Sequence, residues 1–87
     1  MAKVIIPAPF RKYADGLREV MIDSNNLGEV MRGLVARYQG LGVLFEQPAL
    51  LSLFIDGVML RTAHDEWDSV AINDDAEITL IIPIAGG

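Results

Sequence analysis

The sequence predicts an α+β fold in which one helix lies across one apolar face of a single β-sheet. One segment repeats its apolar residues with helical spacing, and short segments of alternating apolar and polar residues lie on both sides of it. Two Asp-Gly pairs, at positions 15–16 and 56–57, separate segments of strand character and are typical of tight turns. The predicted order is strand, strand, helix, strand, strand, strand. The 87 residues suffice for one small core, so we expect a single domain over residues 1–87.

The first two strands are predicted to form a hairpin. Residues 4–6 are β-branched, and Pro7 ends the strand because proline has no backbone N–H to donate. A loop over residues 11–16 leads to a second strand over residues 17–23. Successive side chains of a strand point to opposite faces. We therefore expect Val20 and Ile22 to face the core. Glu19 and Met21 should then face outward.

A capping signal and a long apolar stripe predict the helix. Asn26 precedes Glu29 by three residues, the spacing at which an N-cap side chain accepts a backbone hydrogen bond. Gly40 and Gly42 are expected to end the helix, because glycine readily adopts the left-handed conformation found at helix C-termini. The stripe recurs at intervals of three and four residues and should pack on the sheet: Leu27, Val30, Met31, Leu34, Val35 and Tyr38.

A second hairpin and an acidic loop are predicted after the helix. Residues 50–55 form a strand that pairs across Asp56-Gly57 with residues 58–60. Residues 64–69 are expected to form a solvated acidic loop. Within it, Trp67 is predicted to cover one end of the core, as a large aromatic residue usually does.

The last strand is predicted to follow a turn at residues 73–75 and to run over residues 77–84. Because side chains alternate along a strand, Ile78 and Leu80 should point toward the helix. Thr79 and Ile81 should point toward the opposite face.

Composition and charge exclude several classes of protein. Asp and Glu number 12 against 7 Lys and Arg, and the net charge of −5 disfavours nucleic acid and favours partners with basic surfaces. The absence of cysteine excludes disulfides, thiolate metal sites and a cysteine nucleophile. The N-terminal apolar run is too short for a signal peptide, and no segment approaches the length of a membrane span. We therefore expect a cytoplasmic protein that does not bind membranes.

No group of side chains predicts catalysis or metal binding. None of the three serines lies in a nucleophile elbow, and His64 is the only imidazole, so a hydrolytic triad has no supporting motif. The acidic residues near positions 65–68 and 74–75 lack the alternating ligands and central glycine of a calcium loop. We predict no metal site, no bound cofactor and no enzymatic activity.

The strongest functional signal is the C-terminal sequence, in which an apolar strand runs into Gly86 and Gly87. Glycine has no side chain and accepts almost any backbone angle, so residues 84–87 are expected to form a thin, flexible tail. Such a tail can enter a narrow channel of another protein. Its reactive end is the α-carboxylate of Gly87.

This arrangement resembles the β-grasp fold of ubiquitin-like proteins. More narrowly, the chain is similar to the prokaryotic sulfur carriers, namely the small subunit of molybdopterin synthase (MoaD-like) and its relatives of the thiamine (ThiS-like) and cysteine pathways. Residues 78–87 carry the most specific similarity, and residues 4–7 and 27–30 also resemble the family. At residues 74–77 this chain has Asp-Asp-Ala-Glu where the family often has Asp-Gly-Asp-Glu. The resemblance implies a mixed sheet of four to five strands with one helix across one face.

The resemblance also implies a carrier that catalyses nothing itself. An activating enzyme of the ubiquitin-activating type (MoeB/ThiF-like) would use ATP to adenylate the Gly87 carboxylate, and a sulfur donor protein would convert it to a thiocarboxylate. The tail residues Ala85 and Gly86 would enter the active sites of this enzyme and of a sulfur-accepting synthase subunit. The acceptor pathway, such as molybdopterin, thiamine thiazole or cysteine biosynthesis, stays open.

Two other interpretations remain. A ubiquitin-like modifier would share the fold and the adenylation but end in an amide bond between Gly87 and a target lysine. Basic residues often precede the two glycines in eukaryotic modifiers, whereas residues 83–85 here are apolar. The second alternative is a β-grasp interaction domain in which the two glycines have no role.

The partner interface is predicted from strand alternation. If Leu53 and Ile55 face the helix, the residue between them points to the opposite face, as does Ile81 in the neighbouring strand. Clustered exposed apolar residues favour a protein interface over chance exposure. We expect an exposed patch, leading toward the tail, on which the activating enzyme and the acceptor dock in turn: Phe54, Thr79, Ile81 and Pro83.

Overall fold

The β-sheet of this protein has five strands, seen in a computed structural model that describes residues 1–46 and 50–82. The strands are β1 (Ala2–Ile5), β2 (Glu19–Ile22), β3 (Ser52–Ile55), β4 (Val58–Met59) and β5 (Glu77–Ile81). They lie side by side in the order β2-β1-β5-β3-β4. β1 and β5 are parallel and the other neighbouring pairs are antiparallel, so the sheet is mixed as predicted.

The helix α1 (Leu27–Arg37) covers one face of this sheet. Its start is confirmed, because the Asn26 Oδ1 accepts a hydrogen bond from the Glu29 backbone N–H at 2.9 Å. The predicted end is wrong: the helix stops at Arg37, and Gly40 and Gly42 lie in a following 3₁₀ helix, η2 (Gln39–Phe45). Close packing accounts for Gly40, since a Cβ there would come within 2.8 Å of the Tyr13 ring.

The first hairpin is confirmed as an antiparallel pair of strands, but its connection is not the predicted loop. Residues Ala8–Ala14 form a 3₁₀ helix, η1, which begins directly after Pro7 with a second proline in its first turn. Proline favours this position because its fixed φ suits a helix start. Asp15 and Gly16 then reverse the chain with φ angles of 54° and 77°. Val20 and Ile22 are buried in the core, as their alternation predicts.

The segment predicted as an acidic loop is a further 3₁₀ helix, η3 (His64–Ser69). Its end is attached to the start of α1, because the Leu27 N–H donates to the Val70 carbonyl and the Ile72 N–H donates to the Asn25 carbonyl. Trp67 packs half-buried against the core, which confirms its predicted place. The acidic segment is therefore a fixed part of the helix-side surface.

The core lies between α1 and the inner face of the sheet, and it contains the predicted stripe except Val35, which is half-buried outside the core and lines a surface cavity. The predicted inward residues of β5, Ile78 and Leu80, are both buried. The second hairpin is confirmed by antiparallel pairing across Asp56 and Gly57. β3 begins two residues later and β5 ends three residues earlier than predicted. The largest fully buried side chains are Val4, Ile6, Leu27, Val30, Leu34, Leu41, Leu44, Ile78 and Leu80.

Candidate functional site

β5, the strand that precedes the predicted tail, lies at the centre of the sheet. It pairs with β1 on one side and with β3 on the other. Its last residue is Ile81, and the half-buried Ile82 is the final described residue. The predicted site residues Gly87, Gly86, Ala85 and Pro83 lie outside the described residues. The structure does place the residues that precede them in the sequence. These residues end β5, which is paired with a neighbouring strand on both edges.

The outer face of the sheet, opposite α1, brings three of the predicted interface residues together. Phe54 in β3 lies directly opposite Thr79 in β5. Ile81 lies opposite Ser52, so Phe54 and Ile81 are diagonal neighbours on adjacent strands. Side chains at such diagonal positions are within reach of one another when one is aromatic. The predicted cluster therefore exists on the outer face.

Two apolar residues that the sequence reasoning missed extend this cluster. Ile5 in β1 pairs with Thr79, and Met59 in β4 pairs with Phe54. Both follow from signals already in the sequence: Ile5 alternates with the inward Val4 and Ile6, and a two-residue turn at Asp56-Gly57 sets Met59 opposite Phe54. We call the whole set the outer patch: Ile5, Phe54, Met59, Thr79 and Ile81.

Exposure within the outer patch is uneven. Ile81 is 46% exposed and Met59 is 48% exposed. Phe54 was expected to be exposed, but it is half-buried. Phe54 pairs with Met59 on one side and with Thr79 on the other, so it has a neighbouring strand on both edges. A charged pair borders the patch on β1 and β2, where the Lys3 Nζ lies 3.9 Å from the Glu19 Oε2. An apolar centre with a charged border has the composition of a protein interface.

A concave feature lies on the helix side of the molecule, between α1, η2 and η3. It is a cavity of about 490 Å³ with apolar walls formed by Met31 and Val35 from α1, Phe45 from η2 and Trp67 from η3. The rings of Phe45 and Trp67 meet edge to face, with centroids 6.2 Å apart. We call this cavity the helix-side cleft.

The rim of the helix-side cleft is charged. Arg32 and Asp68 form an ion pair with a nitrogen-to-oxygen distance of 2.9 Å, and Asp65 also lines the cavity. A Cβ at Gly28 would overlap the Asp68 carboxylate, so glycine permits η3 to pack this closely on α1. The Trp67 indole nitrogen is buried without a hydrogen-bond partner among the described residues. Burying such a donor unpaired costs about 1–3 kcal/mol.

Two negative findings concern the described residues. No cluster of three or more His, Asp or Glu side chains within residues 1–46 and 50–82 is arranged to hold a metal ion. None of the helices formed by these residues has the length and apolar character needed to cross a membrane.

Comparison with known proteins gives the fold an independent reference. No protein-family model matches the chain, and no curated protein sequence matches it. Among solved structures, CysO of Mycobacterium tuberculosis, described as an antigen, matches with a TM-score of 0.80 and 21% identity over 97% of this chain and 100% of that one.

Two other solved structures match almost as completely. A chain of the BexX/CysO complex of Amycolatopsis orientalis matches with a TM-score of 0.82 and 18% identity over 100% of both chains. The small archaeal modifier protein 1 of Methanosarcina acetivorans matches with a TM-score of 0.77 and 24% identity, over 99% of this chain and 95% of that one. At these identities the likeness establishes architecture. With its mixed five-stranded sheet, central β5 and helix α1 on one face, the chain has the β-grasp fold of ubiquitin-like proteins, in common with CysO and small archaeal modifier protein 1.

Proposed function

We propose that this protein is a sulfur carrier whose Gly87 carboxylate is adenylated and then converted to a thiocarboxylate. The observation that carries the proposal is the joining of a β-grasp sheet to a diglycine sequence through its central strand, β5. Because β5 is paired with a neighbouring strand on both edges, it fixes the position from which the following residues enter a partner. The full-length structural match to CysO supports the β-grasp fold on which this proposal rests.

The chemistry needs no catalytic side chain from this protein. A free carboxylate is a poor electrophile, and its attack on the α-phosphate of ATP releases pyrophosphate and leaves an acyl adenylate. Hydrosulfide supplied by a donor protein then attacks the acyl carbon, the bond from this carbon to the AMP oxygen breaks, AMP leaves, and Gly87 ends as a thiocarboxylate. The chain acts as a substrate and carrier for an activating enzyme, a sulfur donor and an acceptor synthase subunit, and it holds no cofactor of its own.

The outer patch is the proposed docking surface for the activating enzyme and the acceptor. It is apolar at its centre and charged at its border, and it includes β5, which leads toward the tail. Pro83 continues this route in the sequence. The BexX/CysO complex supports the idea that a chain of this fold docks on a second protein.

The proposal is tested by mass spectrometry of the intact chain. The purified protein, incubated with its activating enzyme, ATP and a sulfur donor, is expected to gain the mass difference between one sulfur and one oxygen atom. A variant lacking Gly87 and a variant with one alanine appended should not gain it. Both variants should keep the circular dichroism spectrum of the parent, because β5 ends before the tail. A thiocarboxylate on the extended variant would contradict the proposal.

A second candidate is a protein modifier joined to target lysines through Gly87, favoured by the shared fold with a protein named as a small archaeal modifier. The two functions share adenylation and differ in the product. Tryptic digestion of extracts from cells that express a tagged chain would leave the peptide of residues 62–87 attached through Gly87 to lysines of other proteins if the chain is a modifier, because Arg61 is the last tryptic site in the sequence. The absence of this attached peptide, together with a thiocarboxylate, supports the carrier. Absence of both products supports an interaction domain.

A further inference from the structure

The helix-side cleft has no role in the proposed function. α1 covers the inner face of the sheet, and the outer patch lies on the other face, so the cleft and the patch are on opposite sides of the molecule. A cavity of about 490 Å³ falls within the size range of ligand pockets, which is about 300–1,000 Å³. Its apolar walls are suited to a large apolar side chain.

The charge at the rim indicates what kind of peptide segment would carry such a side chain. The guanidinium of Arg32 is already paired with Asp68. Asp65, which lines the cavity, and Glu66, the next residue of η3, form no ion pair with any described residue, and residues 47–49 and 83–87 contain no Lys or Arg that could supply one. The rim therefore carries uncompensated negative charge beside an apolar cavity. This combination disfavours acidic segments and attracts cationic ones.

We propose that the helix-side cleft is a docking site for a basic peptide segment of a partner protein. An aliphatic side chain of the segment enters between Val35, Phe45 and Trp67, and adjacent arginine or lysine residues pair with Asp65 and Glu66. This site is independent of the tail chemistry. A partner bound in the cleft leaves the outer patch free.

The test uses the peptide acetyl-Arg-Leu-Leu-Arg-amide as a probe. Trp67 is the only tryptophan, so both its fluorescence and its indole N–H resonance report on the cleft without labelling. Titration of the full chain is expected to give a saturable change in both signals, with amide shifts near Gly28 and Gly42. The charge-reversed peptide acetyl-Glu-Leu-Leu-Glu-amide should bind at least about tenfold more weakly, because the rim repels it.

A cavity-filling variant tests the location. A Cβ at Gly42 would lie 3.7 Å from the Val35 Cγ1, which is an ordinary contact, and Gly42 has no left-handed φ. Gly42→Leu should therefore fold and abolish binding by filling the cavity. Unchanged binding by a folded Gly42→Leu variant would overturn the proposal.

A charge variant tests the rim and does not depend on the folding of the first variant. Asp65→Asn with Glu66→Gln should weaken the arginine peptide about tenfold. The matched control, Asp74→Asn with Asp75→Asn, removes two charges from a turn outside the cleft and should leave binding within about twofold, because neither residue lines the cavity. Three further results would overturn the proposal: no saturable change with the arginine peptide, equal binding of both peptides, or self-association of the chain that Gly42→Leu removes.

Discussion

At the scale of single residues, two aspartates hold backbone angles that most residues avoid. Asp15 and Asp56 have φ angles of 54° and 51°, and each precedes a glycine that also has a positive φ. The left-handed conformation costs an ordinary L-residue about 1–2 kcal/mol, and aspartate tolerates it better than most. Asp56 has an additional role, because its Oδ1 accepts the Glu77 N–H at 2.9 Å and its own N–H donates to the Glu77 carbonyl at 2.8 Å. The turn between β3 and β4 is thereby tied to the start of β5.

Asp56→Ala is expected to lower the free energy of unfolding by more than Asp15→Ala. Both substitutions leave a left-handed angle to alanine, but only the first removes an acceptor from the start of β5. A hydrogen bond of this kind contributes about 0.5–1.5 kcal/mol, so the difference between the variants should be about 1 kcal/mol. Urea unfolding measures it, and Asp56→Asn should recover most of the loss. Equal destabilisation by the two alanine variants would contradict a role for the Asp56 side chain.

At the scale of elements, the helix stripe and the central strand share one core. Leu34 of α1 and Leu80 of β5 are almost completely buried, and Ile81, the next residue along β5, is 46% exposed on the other face. Leu80 therefore contributes to the stability of the core, whereas the adjacent Ile81 contributes little to it. This contrast allows the register of β5 to be tested within a single strand.

Leu34→Ala and Leu80→Ala should each cost about 2–5 kcal/mol of stability, because each removes buried atoms and leaves a cavity. That is a large part of the 5–15 kcal/mol typical of whole domains. Ile81→Ala is the matched control and should cost less than about 1 kcal/mol, as expected for an exposed position outside the core. Chemical denaturation measures all three variants. If Leu80→Ala and Ile81→Ala unfold alike, the assigned register is wrong.

At the scale of the whole molecule, the sheet and the helix layer present two different surfaces. The outer patch is apolar and lies on the strands next to the start of the tail, whereas the helix-side cleft is apolar with an acidic rim. The proposed functions of the two surfaces do not compete for space.

Ile81→Glu is expected to slow adenylation by the activating enzyme, because it places a charge in the apolar centre of the outer patch. Val58→Glu is the matched control: Val58 is 70% exposed but lies in the edge strand β4, where it pairs with Ile55 on the face opposite the outer patch. Release of pyrophosphate measures the rate, and circular dichroism verifies folding. A folded Ile81→Glu variant that is activated as fast as the Val58→Glu variant would place recognition elsewhere. Phe54→Ala combined with Ile81→Ala should also slow activation, at some cost in stability because Phe54 is half-buried.

The sequence by itself determined the features that depend on near neighbours in the chain. The Asn26 cap, the turn at Asp56-Gly57 and the inward placement of Ile78 and Leu80 follow from local spacing and alternation, and the structure confirms each. Resemblance to a known family extended this to the β-grasp topology. The tail chemistry predicted at Gly87 is what this resemblance implies, and it awaits its experiment.

Only the tertiary structure decided the features that depend on contacts between distant residues. The segments at residues 8–14 and 64–69 form 3₁₀ helices because they pack on the core and on α1, and neither carries a periodic signal of its own. The parallel register of β1 and β5 sets Ile5 beside Thr79, and the approach of η3 to Gly28 shapes the helix-side cleft. Local patterns specify which face a side chain occupies. Which distant residues meet on that face is set by packing the whole chain into one core.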